Sequence, residues 1–391
     1  MKKIEISENI FYVGVNDRRK TLFENIWPLP KGVSYNSYLI KDSKSALIDT
    51  LEFGSNDNYL SQIDQLLDGG KLDYLIVNHM EPDHSSMIGI LLKFYPDIKV
   101  VGNNKTFKML EAYYTLSPNN FLEVADGEEL DLGNRRLKFV MTPWVHWPET
   151  MMTYEINSSI LFSCDAFGSF GTLDGAIFDD EINFDFYEEE ARRYYSNIVG
   201  KYSNMTQKAL SKLSGTKVNI ICPSHGPVWR SNPAKIISLY DKWSRYESEE
   251  GVVIAFASMY GNTEKMADYV ARLIAERGIK NIRIYDVSKT HPSFILNDIW
   301  KYGSVILGSC AYNATIHPNM ESLCNELEIL NPKNKKFGLF GSFSWSGGGV
   351  KFLKCFAEKM EWTIVSEPVE LIGIPNEAKM EKFEELAKNI I

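Results

Sequence analysis

Six consecutive residues, His79-Met80-Glu81-Pro82-Asp83-His84, carry four side chains able to bind a metal. Imidazole nitrogen mixed with carboxylate oxygen suits zinc or iron, whereas an all-oxygen set would suit calcium or magnesium. The preceding run, Asp73-Tyr74-Leu75-Ile76-Val77-Asn78, is β-branched and aromatic, so it predicts a buried strand that delivers the cluster onto the loop at its end. A helix is not expected here. Helical spacing puts His79 and Asp83 on one face but turns Glu81 away, and Pro82 interrupts a helix. A polar surface loop explains such a motif taken alone, so the rest of the chain must decide.

Three more strands end in the same way. The run 137–141 leads into Thr142-Pro143-Trp144-Val145-His146, 160–164 delivers Asp165, and 218–222 delivers Pro223-Ser224-His225. Four of the six histidines, His79, His84, His146 and His225, fall in this pattern. A lone histidine is commonly a satisfied core residue, but seven ligand-type residues placed just beyond strand ends point to a constructed site.

The elements that must hold them read as sheets with helices laid on top. Strands are expected over 9–15, 34–40, 45–49 and 99–102, and helices over 53–67, 86–95 and 106–114, with a helical stretch over 187–202 and another over 233–246. The charged run Glu247-Ser248-Glu249-Glu250 reads as a boundary, giving domains 1–248 and 249–391. After it, strands over 252–257, 281–287, 305–308, 337–341 and 363–371 alternate with helices over 263–277, 319–327, 350–360 and 376–391. That alternation predicts a doubly wound parallel sheet with its ligand at the C-terminal strand ends.

Three loops lie at those ends. Ser258-Met259-Tyr260-Gly261-Asn262-Thr263 offers hydroxyls and backbone N–H groups at a helix N-terminus, a nest for phosphate that needs no lysine. It has neither the Walker A spacing nor the GxGxxG of a dinucleotide site. Ser309-Cys310-Ala311-Tyr312-Asn313 and Ser342-Phe343-Ser344-Trp345-Ser346-Gly347 each set an aromatic on a small-residue loop, which suits covering a flat ring system, with Trp345 the first choice for stacking. His291 and His317 precede prolines and read as loop residues.

At 391 residues the chain is long enough for two or three domains, and 44% hydrophobic with 24% charged residues is an ordinary globular composition. A net charge of -9 argues against nucleic acid as partner, and no run reaches the length of a membrane span. The start, Met1-Lys2-Lys3-Ile4-Glu5, lacks the apolar core of a secretory signal, so a cytoplasmic location is expected. Five scattered cysteines without a CxxC pair suggest neither a disulfide framework nor a thiolate metal cage.

Taken together, His79, Glu81, Asp83, His84, His146, Asp165 and His225 resemble the seven metal ligands of the flavodiiron proteins, and the 258–263 string resembles the phosphate loop of flavodoxins. The resemblance covers essentially the whole chain. It implies an N-terminal metallo-β-lactamase-like αββα sandwich followed by a flavodoxin-like sheet binding FMN. Glu81 stands where hydrolases of the first fold carry a second histidine, and the resulting three carboxylates favour a pair of iron ions. The resemblance implies that His79, Glu81 and His146 hold one iron, Asp83, His84 and His225 the other, and that Asp165 bridges them. It also implies a role for Tyr195 as a hydroxyl near the metals, while Trp144, Trp147, Phe167 and Phe170, which flank the ligand loops, suit an aromatic wall or an ordinary core. The activity implied is electron transfer from FMN to the diiron site, reducing dioxygen to water or nitric oxide to nitrous oxide. A head-to-tail homodimer or dimer of dimers is implied too. No CxxC pair follows the flavodoxin-like part, so an external donor is expected: a rubredoxin, a flavoprotein reductase or a reduced deazaflavin. Two alternatives stand beside this reading, a dizinc hydrolase with a flavodoxin passenger and a redox sensor or electron carrier with a closed metal site.

Overall fold

A computed structural model describes residues 3–114 and 118–391, and the chain divides into two compact units. The first comprises 1–195 and 202–241, the second 196–201 and 242–391.

The first unit is built on two facing sheets. One has seven strands, running Ile4–Ser7, Ile10–Tyr12, Tyr38–Ile40, Ala46–Ile48, Tyr74–Ile76, Lys99–Gly102 and Phe121–Glu123 across the sheet. Its first pairings are antiparallel, and from Ala46–Ile48 onward they are parallel. The other has five strands, Glu129–Asp131, Arg136–Met141, Met151–Glu155, Ile160–Cys164 and Ile220–Pro223, the last pair parallel. Ile40, Ile48, Ile76 and Val101 of the first sheet meet Leu137, Phe139, Met151 and Phe162 of the second in one apolar core. Burial of such aliphatic and aromatic side chains stabilises by about 1.5–3 kcal/mol each, which is what holds the strand ends in register.

Strand ends agree with expectation more closely than helix starts. The helix expected over 53–67 is confined to Tyr59–Leu67, because Ser55 N–H bonds back to the Glu52 carbonyl and Asn56 Oδ1 takes the Asn58 N–H, making turns of the preceding residues. The helical stretch over 187–202 is not continuous. It runs as an α-helix Phe184–Tyr194, a π-helical turn Tyr195–Val199 and a tighter turn Gly200–Tyr202.

In the second unit five parallel strand positions follow the order Ile282–Asp286, Glu249–Ala257, Tyr302–Tyr312, Lys336–Phe343, then Thr363–Ile364 with Val369–Ile372. This is the 2-1-3-4-5 order of flavodoxin-like sheets. The strand expected over 363–371 breaks in two at Ser366-Glu367-Pro368, where proline removes a ladder donor. The closing helix is also two helices, Glu377–Met380 and Phe383–Asn389. Ile254, Ile306 and Phe340 pack under Val270, Ile274 and Phe383. Among the described residues no helix is long and apolar enough to cross a membrane.

Candidate metal centre and flavin cavity

The strand Tyr74–Ile76 delivers His79 as expected, but Pro82–Ser85 forms a single helical turn rather than open loop. Pro82 occupies the first helical position, where its missing N–H is no loss, so it starts a helix that sequence spacing had it interrupting. His79 and Glu81 stand in the extended entry to that turn while Asp83 and His84 ride on it. Asp49, itself left-handed at φ 53°, accepts the Asn78 backbone N–H at 2.7 Å and its Nδ2 at 3.0 Å, fixing the strand exit. Trp144, Cys164 and Phe167 are also non-glycine residues at φ between 54° and 69°, beside His146 and Asp165. Such conformations cost on the order of 1 kcal/mol or more and persist where the surroundings enforce them.

All seven sequence-predicted ligands converge and are buried. His79, Glu81, His146 and Asp165 form one group with ligand atoms within 4.8 Å of one another, and Asp83, His84 and His225 form a second. Asp165 faces both. Its Oδ2 lies 3.4 Å from His79 Nε2 and 3.2 Å from His146 Nε2, while its Oδ1 lies 2.9 Å from His84 Nε2 and 3.5 Å from His225 Nε2. Glu81 Oε2 is 2.9 Å from His146 Nε2, and Asp83 Oδ2 is 3.2 Å from His225 Nε2.

The donor set fits a metal pair on its own geometry. Both oxygens of Asp83, Oδ2 of Asp165 and Nε2 of His225 are buried without a hydrogen bond among the described residues. Orphaned buried acceptors are rare and call for a partner, and a cation between the facing donors is one. The charges tell the same story. Burial would push His146 down, but Asp165 and Glu81 offset it and hold the imidazole up at about 10; burial likewise disfavours the His84 cation, yet Asp83 and Asp165 hold it at about 9. Burial raises Asp165, yet His84, His146 and His79 keep it well below the usual carboxylate range. His146 and His84 thus pair with Asp165 as opposite charges, and a bound metal would take the place of their protons.

Tyr195 turns away from the cluster. Its hydroxyl is 2.9 Å from Ser203 Oγ and its ring packs edge-on against Tyr240. The neighbouring Tyr194 faces the site instead, with its ring centroid 5.6 Å from that of His225 and its buried hydroxyl lacking a hydrogen-bond partner among the described residues. Burial first, then Asp165, Asp83 and Glu81, hold that hydroxyl well above its usual range. Of the expected aromatic wall, Trp147 lies 5.1 Å from His79 and Phe170 packs on Phe23 and Tyr194. Phe167 packs against Tyr240 and Trp144 against Tyr202.

Sequence reasoning missed three neighbours. Glu149 accepts from His79 Nδ1 at 2.7 Å, and Phe23 sits 5.3 Å from the His225 ring. Glu24, in the turn of the small hairpin Leu22–Phe23 to Trp27–Pro28, has its carboxyl raised to about 7 by partial burial and by Glu81. Neither Glu149 nor Phe23 directly follows a strand end, and the two-residue strand before Glu24 is too short to read from sequence.

In the second unit the predicted loops surround a cavity of about 330 Å³. It is lined by every residue predicted there except Gly261, Ser309 and Gly347, and by Ala314 as well. Gly261 caps the helix Asn262–Glu276 at φ 83°, with its N–H on Ser258 Oγ at 3.0 Å. Ser309 is turned inward, accepting the His317 N–H. Thr263 Oγ1 and Ser342 Oγ lie 2.9 Å apart across the floor, and Trp345 and Tyr260 stand exposed at the mouth.

Comparison with known proteins agrees with both units. Residues 33–226 match the family model described as ODP family beta lactamase, and 254–385 match flavodoxin. The chain is 31% identical to a nitric oxide reductase of Moorella thermoacetica over 99% of its own length and 98% of that protein's. It is 34% identical to the anaerobic nitric oxide reductase flavorubredoxin of Escherichia coli O1:K1 / APEC, covering 89% of this chain and 73% of the relative. Among solved structures it resembles the rubredoxin oxygen:oxidoreductase of Desulfovibrio gigas, with TM-score 0.95, 30% identity and coverage of 100% and 98%. It also resembles the flavodiiron protein of Giardia intestinalis, with TM-score 0.94, 26% identity and coverage of 100% and 96%. With a buried His, Asp and Glu cluster in a β-lactamase-like unit, a flavodoxin unit beside it in sequence, and full-length relatives of this kind, the chain belongs to the flavodiiron proteins, a family of oxidoreductases.

Proposed function

We infer that this protein passes electrons from FMN to a non-haem diiron site that reduces dioxygen to water, nitric oxide to nitrous oxide, or both. The observation that carries the reading is Asp165, whose two oxygens face separate donor groups. In this reading His79, Glu81 and His146 hold one iron, Asp83, His84 and His225 hold the other, and Asp165 bridges. Iron in such a site supplies one-electron redox steps that zinc lacks.

The chain's own residues do the rest. Both gas reductions consume protons, and the Tyr194 hydroxyl is a buried donor facing the cluster. Phe23, Phe170 and Trp147 keep water from the ligands. In the second domain, taken as 249–391, Ser258 and Thr263 with the helix N-terminus hold the FMN phosphate, while Trp345 and Tyr312 cover the ring. An external donor reduces the FMN. A rubredoxin is favoured over a flavoprotein reductase or deazaflavin by the name of the Desulfovibrio relative. Two chains pair head to tail, alone or as a dimer of dimers, in the cytoplasm.

The test is metal and flavin content of anaerobically purified protein, followed by parallel dioxygen and nitric oxide consumption with reduced FMN as electron source. Two irons and one FMN per chain with gas uptake are expected, and the ratio of rates selects the substrate. Asp165→Asn should abolish uptake of both gases while FMN stays bound. Two zincs, or a fully iron-loaded protein without gas uptake, would overturn the reading.

A further inference from the structure

The two donor groups are matched in their ligands. Each has two imidazoles, one carboxylate and one oxygen of Asp165. A difference between the two metal positions can therefore come from what stands behind the ligands.

There the groups are unlike. Behind His79 stands a carboxylate: Glu149 Oε1 is 2.7 Å from Nδ1 and takes the Met80 backbone N–H at 2.9 Å as well. That shared contact fixes the ring, because a backbone N–H can only donate and so identifies Oε1 as an acceptor. Glu149 is 1% exposed, its Oε2 is buried without a partner, and among the described residues its only ion-pair contact is His79. Among the described residues no lysine or arginine pairs with it. Behind His225 stands the neutral carbonyl of Ser34, at 2.7 Å from Nδ1. Behind His84, whose Nδ1 is buried, no hydrogen-bond partner stands among the described residues. An imidazole donating to a carboxylate is a more basic ligand than one donating to a carbonyl, and a buried anion is weakly screened.

We propose that Glu149 is a positioning residue that makes the two metal positions unequal: its carboxylate, through His79, stabilises the ferric state of the iron held with Glu81 and His146, so the iron held by Asp83, His84 and His225 is reduced first. This rests on the diiron reading above. FMN delivers electrons singly, and Glu149 decides where the first one settles.

The test is Glu149→Gln in the iron- and FMN-loaded protein. Glutamine keeps an acceptor oxygen for His79 and Met80 and removes the charge. A redox titration followed by the electron paramagnetic resonance of the mixed-valence pair reads both one-electron couples. In the variant the lower couple should rise more than the upper. The comproportionation constant should then fall on the order of tenfold, which is about 59 mV for a one-electron couple, with a smaller maximum mixed-valence signal. Couples that move together, or stay put at wild-type iron content, overturn the inference. Should the variant lose iron, the zinc-loaded wild type still answers: the His79 Nδ1 proton should resonate further downfield than that of His225, and an equal or smaller shift overturns the inference. A wild type that takes up no iron overturns the functional reading itself, so the two failures are distinct.

Discussion

A tyrosine beside a metal site matters only if its hydroxyl points at it, and here two adjacent tyrosines differ on that point. Tyr195 is committed to Ser203, whereas Tyr194 has an unpartnered buried hydroxyl within the field of three carboxylates. A buried hydroxyl without a partner costs about 1–3 kcal/mol, a cost retained where bound substrate supplies the missing acceptor. Tyr194→Phe should therefore lower turnover with either gas roughly ten- to hundredfold with iron content unchanged, as for loss of a general acid. Tyr195→Phe should leave turnover within about a factor of two and lower stability by about 1 kcal/mol, the net worth of one hydrogen bond. Steady-state gas consumption and urea midpoints on the two variants check both. Equal losses of turnover would remove the assignment.

Elements explain why the adjacent residues differ. The α-helix Phe184–Tyr194 passes at once into the π-helical turn Tyr195–Val199, which inserts an extra residue and rotates everything after it. The resemblance points to Tyr195, whereas the structure turns the neighbouring Tyr194 toward the cluster, and a sequence carries no mark of the turn that separates them. The ligand motif was legible because strand periodicity and hydrophobic runs locate strand ends well, as at Cys164 before Asp165 and Pro223 shortly before His225. Pro82 was legible as a boundary but not as a start, a distinction that depends on whether the residues before it are already helical. The flavin loop was legible through the whole 258–263 string, in which Gly261 supplies the turn. At φ 83° a side chain is strained, though an added Cβ would meet nothing closer than Glu264 Oε2 at 3.9 Å. Gly261→Ala should thus act through the backbone alone, by about 1 kcal/mol, and weaken FMN binding roughly fivefold with the fold intact. Fluorescence titration of the FMN-free protein measures it, and unchanged affinity would show that the loop does not need this conformation to hold phosphate.

At the scale of the molecule, alternation of strands and helices announced the second unit, but not that Ser196–Lys201 belongs to it, nor that one of its lysines is interior. Lys335 stands just before the strand Lys336–Phe343, yet it is 3% exposed. Its Nζ donates to the Tyr302 carbonyl at 2.7 Å and to Ser248 Oγ at 3.0 Å, and no carboxylate pairs with it among the described residues. The side chain ties the segment entering the second unit to two of its strands, and burial pushes the ammonium down from 10.5 to about 7. The sign of the consequence follows from proton counting. Between about 7 and 10.5 the unfolded chain binds a proton that the folded chain does not, so this group makes stability rise with pH, by up to roughly 1.4 kcal/mol per unit. Below about 7 both states are protonated, and the contribution is flat at its least favourable value. Lys335→Met should remove that slope, so that the gap between variant and wild type shifts in the wild type's favour as pH rises from 7 to 9. The two units need not unfold together, so the transition must be read from the second one, by release of bound FMN during urea unfolding at a fixed FMN concentration. Parallel pH dependences of variant and wild type would mean that Lys335 keeps its charge when folded, with water reaching the segment around Ser248.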